Sequence, residues 1–270
     1  MTEFIQSSET ALRLSAFACV LVTMMAAETA FERKTRVSGR APRWASNFAL
    51  VLIDSMLVRL LFPVVAAGTA IIAAKNGWGI FNLIALPVWL EIFLAITVLD
   101  MMIYWQHVAS HKIPALWAIH KVHHADRDID VTTGFRFHPA EIILSMGFKT
   151  LLVLLIGAPV IAVILFEITL SGCALFNHSN LRLPSKADRF IRKILVTPDM
   201  HRVHHSIDVN ESRKNYGFSV PLWDHLFKTY QAQPAAGHDN MVIGLAEHQG
   251  REPSSLLWSL LLPLKRQNRP

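Results

Sequence analysis

Residues 80–124 read IFNLIALPVWLEIFLAITVLDMMIYWQHVASHKIPALWAIHKVHH, and the fold follows from how this stretch changes along its length. From Ile80 to Trp105 it is apolar, carrying only Pro87, Glu91 and Asp100 as conspicuous interruptions. That is long enough to cross a hydrocarbon core, which takes about 20 residues of helix. It then runs straight into His107 and His111, followed by His120, His123 and His124. A membrane helix therefore delivers imidazoles at its end. Residues i, i+3 and i+4 share a helix face, so H-x-x-x-H and H-x-x-H-H are each expected to aim their rings in one direction. The second pattern recurs at His201, His204 and His205. Eight clustered imidazoles exceed the four ligands of a single zinc. The count predicts two metal ions, and all-nitrogen ligation suits iron, zinc or copper better than magnesium or calcium.

Outward from this stretch the chain keeps the character of a membrane protein. Of its 270 residues 52% are hydrophobic, and the mean hydropathy is +0.35, richer in apolar residues than an ordinary soluble domain. A first span is expected from Leu14 to Phe31, carrying Thr23, Glu28 and Thr29. No basic segment precedes it and no small-residue cleavage signature ends it, so an uncleaved span is expected rather than a signal peptide. A second apolar stretch runs from Phe48 to Ala74 and is interrupted by Asp54, Arg59 and Pro63. Such polar insertions are expected to face other helices, with Asp54 and Arg59 on a shared polar track or Arg59 snorkelling at a helix end. Glu141 to Phe176 is broken at Gly157-Ala158-Pro159 and reads as a membrane hairpin of two short helices. Leu256 to Leu264 is too short to span; with Trp258 inside it and Lys265-Arg266 behind it, an interfacial helix is expected. The fold class is thus an all-α integral-membrane helical bundle, with about four spans or three plus a re-entrant hairpin, under a cytoplasmic histidine-rich di-metal cap. Residues 1–94 form the N-terminal transmembrane helices, 95–232 the catalytic domain with its hairpin at 141–176, and 233–270 a tail.

Arg33, Lys34, Arg36, Arg40 and Arg43 load the loop after the first span, which places that loop in the cytoplasm by the positive-inside rule. Counting crossings onward brings all three histidine clusters to the same membrane face. The net charge of +6 is scattered over loops beside apolar spans, where anionic headgroups account for it better than nucleic acid. Cys19 and Cys173 fall in expected membrane helices, so neither a disulfide framework nor a cysteine metal site is expected.

Asp100, Tyr104, His107 and His111 form one helical stripe. Asp100 is the natural partner for the second N–H of a ligating imidazole, with Tyr104 and Asp199 as further supporting residues and Asp126, Asp130, Asp208 and Glu141 as additional acids. His178 and His138 are candidates to complete the site. His225, His238 and His248 lack partners at ligand spacing and read as solvated surface positions. Two irons beside a lipid-facing cavity could bind dioxygen and attack an unactivated C–H bond, which no side chain does alone.

These residues resemble the fatty acid hydroxylase/sterol desaturase superfamily of integral-membrane di-iron enzymes. The resemblance runs in order through Asp100–His111, His120–His124, Arg136-Phe137-His138-Pro139-Ala140-Glu141, Phe176–Asn180 and Pro198–His205. It continues in Asn215-Tyr216-Gly217, Trp223-Asp224 and Phe227-Lys228-Thr229-Tyr230, covering roughly residues 95–232. It implies His107, His111, His120, His123, His124, His201, His204 and His205 as ligands of two iron ions, with His178 added, dioxygen as co-substrate and zinc as a substitute metal. Family members oxidise sterols, fatty acyl chains, sphingoid or ether lipids and aminolipid headgroups by hydroxylation, desaturation or stepwise methyl oxidation. Gln106 and Lys228 depart from the usual pattern, Lys228 replacing a common glycine. No fused cytochrome b5, flavin or ferredoxin motif is visible, so an external electron-donor protein of ferredoxin, cytochrome b5 or reductase type is expected. The short length and the Arg269-Pro270 ending suit a bacterial inner membrane. Two rival classes are weighed: a zinc-dependent membrane hydrolase, against which stands the absence of H-E-x-x-H, and a metal-binding or transport protein, which would carry ligands midway through spans.

Overall fold

A computed structural model describes residues 9–62 and 64–265; the expected breaker Pro63 and the segment from Arg266 to Pro270 lie outside it. Among the described residues the chain is helical, with only isolated bridges at Glu32–Leu181 and Ser206–Ile243. The long helices are α1 (Glu9–Ala30), α2 (Arg40–Leu61), α4 (Val88–Lys112), α6 (Pro139–Ile156) and α7 (Val160–His178). A shorter helix, α3 (Ala66–Asn76), follows α2. Five stretches are long and apolar enough to cross a membrane: Glu9–Ala30, Arg40–Asn82, Val88–Lys112, Pro139–Ile156 and Val160–His178. The second of these divides into α2 and α3. The protein is a multi-pass helical bundle, three spans followed by a hairpin pair.

Each long helix carries its own start and stop. Pro87 and Pro159 immediately precede α4 and α7, where their fixed φ suits a helix entrance. His138 caps α6, its Nδ1 accepting from the Ala140 amide at 3.1 Å, with Pro139 at the first helical position. Gly157 closes α6 in a left-handed turn at φ 68°, a conformation glycine adopts without penalty. The same turn is packed backbone to backbone: a Cβ on Gly79 would lie 2.2 Å from the Gly157 nitrogen.

Small residues bring the helices together. Ala66, Ala67 and Ala70 of α3, Ala95 and Leu99 of α4, and Ala162 and Val163 of α7 form one buried cluster, the close approach that stabilises helix pairs where lipid supplies no hydrophobic drive. Leu52, Met56, Leu60, Phe93, Leu144, Leu151 and Leu165 point outward and are exposed, as a lipid-facing surface requires. Arg59 is also exposed, while Asp54 is buried. The two do not share a track, because they leave α2 on different faces.

The cap gathers at the end of the bundle where α1, α4 and α7 finish and α2 and α6 begin. Its helices are α5 (Pro114–His124), α8 (Ser185–Ile191) and α9 (Pro198–His204). The basic loop is built into the cap by ion pairs. Arg43 is 1% exposed, and its guanidinium donates to both Asp126 oxygens at 2.6 and 2.9 Å and to Asp130 at 2.8 Å. Arg33 pairs with Asp199 and Asp239, and Arg36 with Glu28 and Glu32. Glu28, at the end of α1, accepts from the amides of Val131 and Asn180. The segment Leu256–Leu261 leans on the cap, with Ser259 fully buried against Arg136.

Candidate metal centre

Four elements deliver nine histidines to one place: the end of α4 (His107, His111), α5 (His120, His123, His124), the last residue of α7 (His178), and α9 with its C-cap (His201, His204, His205). They sort into two groups whose potential ligand atoms lie within 4.8 Å of one another. One holds His107, His111, His120, His124 and His204; the other holds His123, His178, His201 and His205. The expectation that each H-x-x-H-H points one way is therefore corrected. At 100° per residue, positions i and i+4 differ by about 40° while i+3 and i+4 differ by about 100°. His120 and His124 accordingly share one group and His123 turns to the other; His201 and His205 share the second group and His204 turns to the first. Each H-x-x-H-H spans both groups.

Hydrogen bonds fix which nitrogen is bare. His107 Nδ1 lies 2.7 Å from the Tyr216 carbonyl, His123 Nδ1 3.1 Å from that of Arg136, His178 Nδ1 2.7 Å from that of Ala174, and His204 Nδ1 2.8 Å from that of Lys214. A carbonyl only accepts, so in each ring Nδ1 carries the proton and Nε2 presents a lone pair. The carboxylate of Glu141 acts similarly on His120 Nδ1 at 2.6 Å. The Nε2 atoms of His107, His111, His120, His124 and His204 are buried without a partner. In the other group His178 Nε2 stands 3.0 Å from both His123 Nε2 and His201 Nε2. For His123 and His178 this sets lone pair against lone pair, which only a cation between them relieves. Burial and the neighbouring imidazoles hold His123, His124, His201 and His205 well below the ordinary histidine pKa, and burial lowers His204 to about 3. Neutral rings with converging lone pairs fit two nitrogen-ligated metal ions.

The supporting residues differ from those the sequence suggested. Asp100 holds no imidazole; it accepts from Trp223 Nε1 at 2.7 Å, because it leaves α4 about two turns before the first histidine. Tyr104 meets Thr229 through its hydroxyl at 2.9 Å. Asp199 pairs with Arg33 and Arg202. His138 is consumed by its capping bond and by the Leu260 carbonyl at 3.2 Å, whereas His178 joins a group. His225 is exposed and stacks on Tyr230, and His248 lies edge-on to Trp258. His238, by contrast, is 6% exposed and sits 3.7 Å from Asp199. The turn at Gly237–Asn240 folds back so that Asp239 reaches Arg33.

The carbonyl acceptors are themselves pinned, which gives the downstream motifs a structural purpose. Asp224 accepts from the amides of Tyr216 and Gly217 at 2.8 Å each. Asn215, at φ 53°, donates to the carbonyls of Met200 and Gln231. Thr229 donates to Asp224 at 2.7 Å, and the preceding Lys228 has φ 59°, a left-handed conformation that explains why glycine is usual there. Arg136, fully buried, donates to the Val122 carbonyl, Asn47, the Pro253 carbonyl and Ser259. Burial lowers its pKa to about 10, and Phe137 beside it stacks on His123 with ring centroids 4.5 Å apart. Burial alone would raise Asp126, but Arg43 overrides it and holds its pKa at about 2.

A cavity of about 350 Å³ opens beneath the first histidine group, reaching His107, His120 and Glu141 at one end and Lys149 at the other. Its walls come from α2, α4, α6 and α7 with the 131–135 turn, and are largely apolar, including Val58, Ile103, Phe135, Met146 and Leu175. Gly134 lets that turn close on α7, since a Cβ there would stand 2.8 Å from the Ala174 carbonyl oxygen.

The chain was compared with known proteins. The family model for fatty acid hydroxylase matches residues 92–229. Ornithine lipid hydroxylase OlsE of Rhizobium tropici is 25% identical over 183 residues, covering 68% of this chain and 53% of the relative. Alkylglycerol monooxygenase of Homo sapiens is 30% identical, covering 62% of this chain and 36% of the relative; that of Danio rerio is 32% identical, covering 64% and 37%. The chain thus spans about half or less of the length of these curated relatives. No solved structure matches it. With the match extending from near the start of α4 through both histidine groups to Thr229, the chain belongs to the fatty acid hydroxylase family.

Proposed function

We propose that this protein is a membrane lipid oxygenase or desaturase that works with two iron ions and dioxygen, taking electrons from a separate donor protein. The observation that carries this reading is the junction of the first of two adjoining histidine groups with the apolar cavity between membrane helices. Relatives named as a lipid hydroxylase and an alkylglycerol monooxygenase support a lipid substrate. His107, His111, His120, His124 and His204 would hold one iron, and His123, His178, His201 and His205 the other. Bound iron would supply the activation of dioxygen needed to oxidise an aliphatic C–H bond.

The chain's own residues do the rest. The carbonyls of Tyr216, Arg136, Ala174 and Lys214 and the Glu141 carboxylate keep each proton on Nδ1, fixing ring orientation and raising ligand basicity. The cavity walls exclude water from the reacting carbon and hold the hydrocarbon in one orientation. The cap, with its positive loop, would face the cytoplasm of a bacterial inner membrane, and electrons would arrive there.

The test is a comparison of lipid extracts from cells making the wild type and His204→Ala under oxygen-18 gas, with metal content measured on the purified proteins. A lipid gaining one labelled oxygen in the wild type alone establishes hydroxylation, and one losing two hydrogens without label establishes desaturation. Identical extracts from an iron-loaded wild type supplied with an active electron donor would refute the proposal.

A further inference from the structure

The cavity carries a carboxyl group that nothing in the fold satisfies. Asp54 lies on its wall and is 5% exposed; its Oδ1 is buried without a hydrogen-bond partner, and the carboxylate makes no ion pair among the described residues. Lys149, the lysine on the same cavity, does not serve it. Its ammonium lies 2.5 Å from Glu167, which also takes Arg13 at 3.1 Å. The second carboxylate on the wall, Glu141, uses Oε1 on His120 and leaves Oε2 unpartnered. With Gln106 Oε1, also unpartnered on this wall, the cavity presents three free acceptor oxygens, two of them from carboxyl groups, and a lysine already neutralised. A carboxyl oxygen left without a hydrogen-bond partner in an apolar, membrane-depth setting is costly. Replacing it by a hydrocarbon would remove that cost, so its retention points to a ligand that donates a hydrogen bond.

We infer that Asp54 receives a hydroxyl or ammonium group of the substrate, which enters with its polar end toward the metals and its hydrocarbon along the outer cavity. The inference rests on the lipid-oxidation reading and narrows it: the substrate is an amphiphile carrying a hydrogen-bond donor near the carbon to be oxidised, not an alkyl chain offered by its methyl terminus. Depth supports the placement. Asp54 lies seven residues beyond Asn47 on α2, or about 10 Å of helix, and Asn47 is tied to Thr132 and Arg136 of the cap. The carboxylate thus stands just under the histidine layer. The far wall, with Val58, Met146 and Leu170, takes the tail.

The iron-loaded protein in nanodiscs, kept free of oxygen so that nothing turns over, is titrated with dodecylamine, 1-dodecanol and dodecyl methyl ether, and binding is read by native mass spectrometry. These probes share a chain and differ in the donor. The wild type is expected to bind the amine or the alcohol at least about tenfold more tightly than the ether; the tighter of the two identifies the group as ammonium or hydroxyl. Asp54→Leu and Asp54→Ala should abolish that preference while binding the ether as the wild type does, and removal of an unpartnered buried carboxyl leaves both variants able to fold. Equal binding of all three probes by the wild type, or an undiminished preference in either variant, overturns the assignment. Failure of the oxidation reading would appear separately, as absence of any oxygen-dependent product from the same iron-loaded protein supplied with electrons.

Discussion

Glu141 offers the sharpest perturbation of the candidate metal centre, because it touches one histidine group and not the other. Its Oε1 accepts from His120 Nδ1 at 2.6 Å, with both side chains buried. Glu141→Ala leaves that N–H without an acceptor, which costs about 1–3 kcal/mol in a buried site. Loss of such an outer hydrogen bond weakens metal binding by about 10- to 100-fold, or about 1.4–2.7 kcal/mol. Glu141→Gln keeps an acceptor oxygen but loses the charge assistance, roughly half the strength of the bond, and should weaken binding only about 3- to 10-fold. The assay is metal retention against a graded chelator series, read by elemental analysis on detergent-purified protein whose helicity matches the wild type. Wild type is expected to hold two ions, and Glu141→Ala to release one early while the ion of the His123 group stays. Glu141→Gln should fall between. Wild-type retention of both ions by Glu141→Ala, beside loss from His120→Ala, would refute the assignment of Glu141 as the group that orients His120. Equal loss of both ions would refute the division into two groups.

Three other outcomes follow from the cap. Arg43→Ala should destabilise the protein by about 3–5 kcal/mol, since it leaves Asp126 and Asp130 buried and unpaired; Arg43→Lys should recover only part, lacking the two-pronged contact with Asp126. Thermal melting in detergent checks both, and a melting point unchanged in Arg43→Ala would contradict the buried clamp. Gly134→Ala should cost about 1–3 kcal/mol, because its Cβ would meet the Ala174 carbonyl at 2.8 Å; that carbonyl holds His178, so metal should be lost first from the group of four. Burial lowers the His238 pKa to about 4, below the unfolded value of about 6.5. The stability due to its neutral form is therefore complete above about pH 6.5 and falls as the pH drops toward 4, by about 1–2 kcal/mol after allowance for its partial solvation. A His238→Gln variant should lose that part of the slope in pH-dependent unfolding.

Much of this arrangement is written in local sequence, and the remainder is not for identifiable reasons. The apolar runs, the break at Gly157 and the convergence of α4 and α9 on histidine clusters follow from composition and helical spacing. The division of His123 from His120 and His124 follows from the 100° step, but only tertiary structure reveals that a second metal-sized space lies on the other side. The acceptors for His107, His123, His178 and His204 are backbone carbonyls, which every residue possesses, so no side-chain pattern marks them. Asp100 has the spacing of a histidine partner and the position of a tryptophan partner. Arg43 carries the same charge as its neighbours in the basic loop, and only its burial against Asp126 and Asp130 separates a clamp from a headgroup contact. The Asn215-Tyr216-Gly217 and Trp223-Asp224 motifs hold the turn that feeds carbonyls to the site, a role visible only once Asp224 is seen on both amides.

The contrast between the cap and the cavity shows where the fold has been bent toward chemistry. Around the histidines, two buried arginines are matched in detail: Arg136 donates to four acceptors, and Arg43 joins α2 to the segment after α5 through two carboxylates. Such matching makes the cap stiff, as the proposed positioning of two ions against one carbon requires. Directly below, the rule reverses. Asp54 and Glu141 each leave an oxygen unpartnered, beside a cavity large enough for part of a lipid. A consistent fold tolerates local conflicts chiefly at functional positions, and here the unsatisfied atoms include two complementary kinds, bare imidazole nitrogens and carboxyl oxygens. The nitrogens call for cations that stay. The oxygens call for a donor that comes and goes with the substrate, so the same cavity that admits an apolar chain can select which end of it reaches the metals.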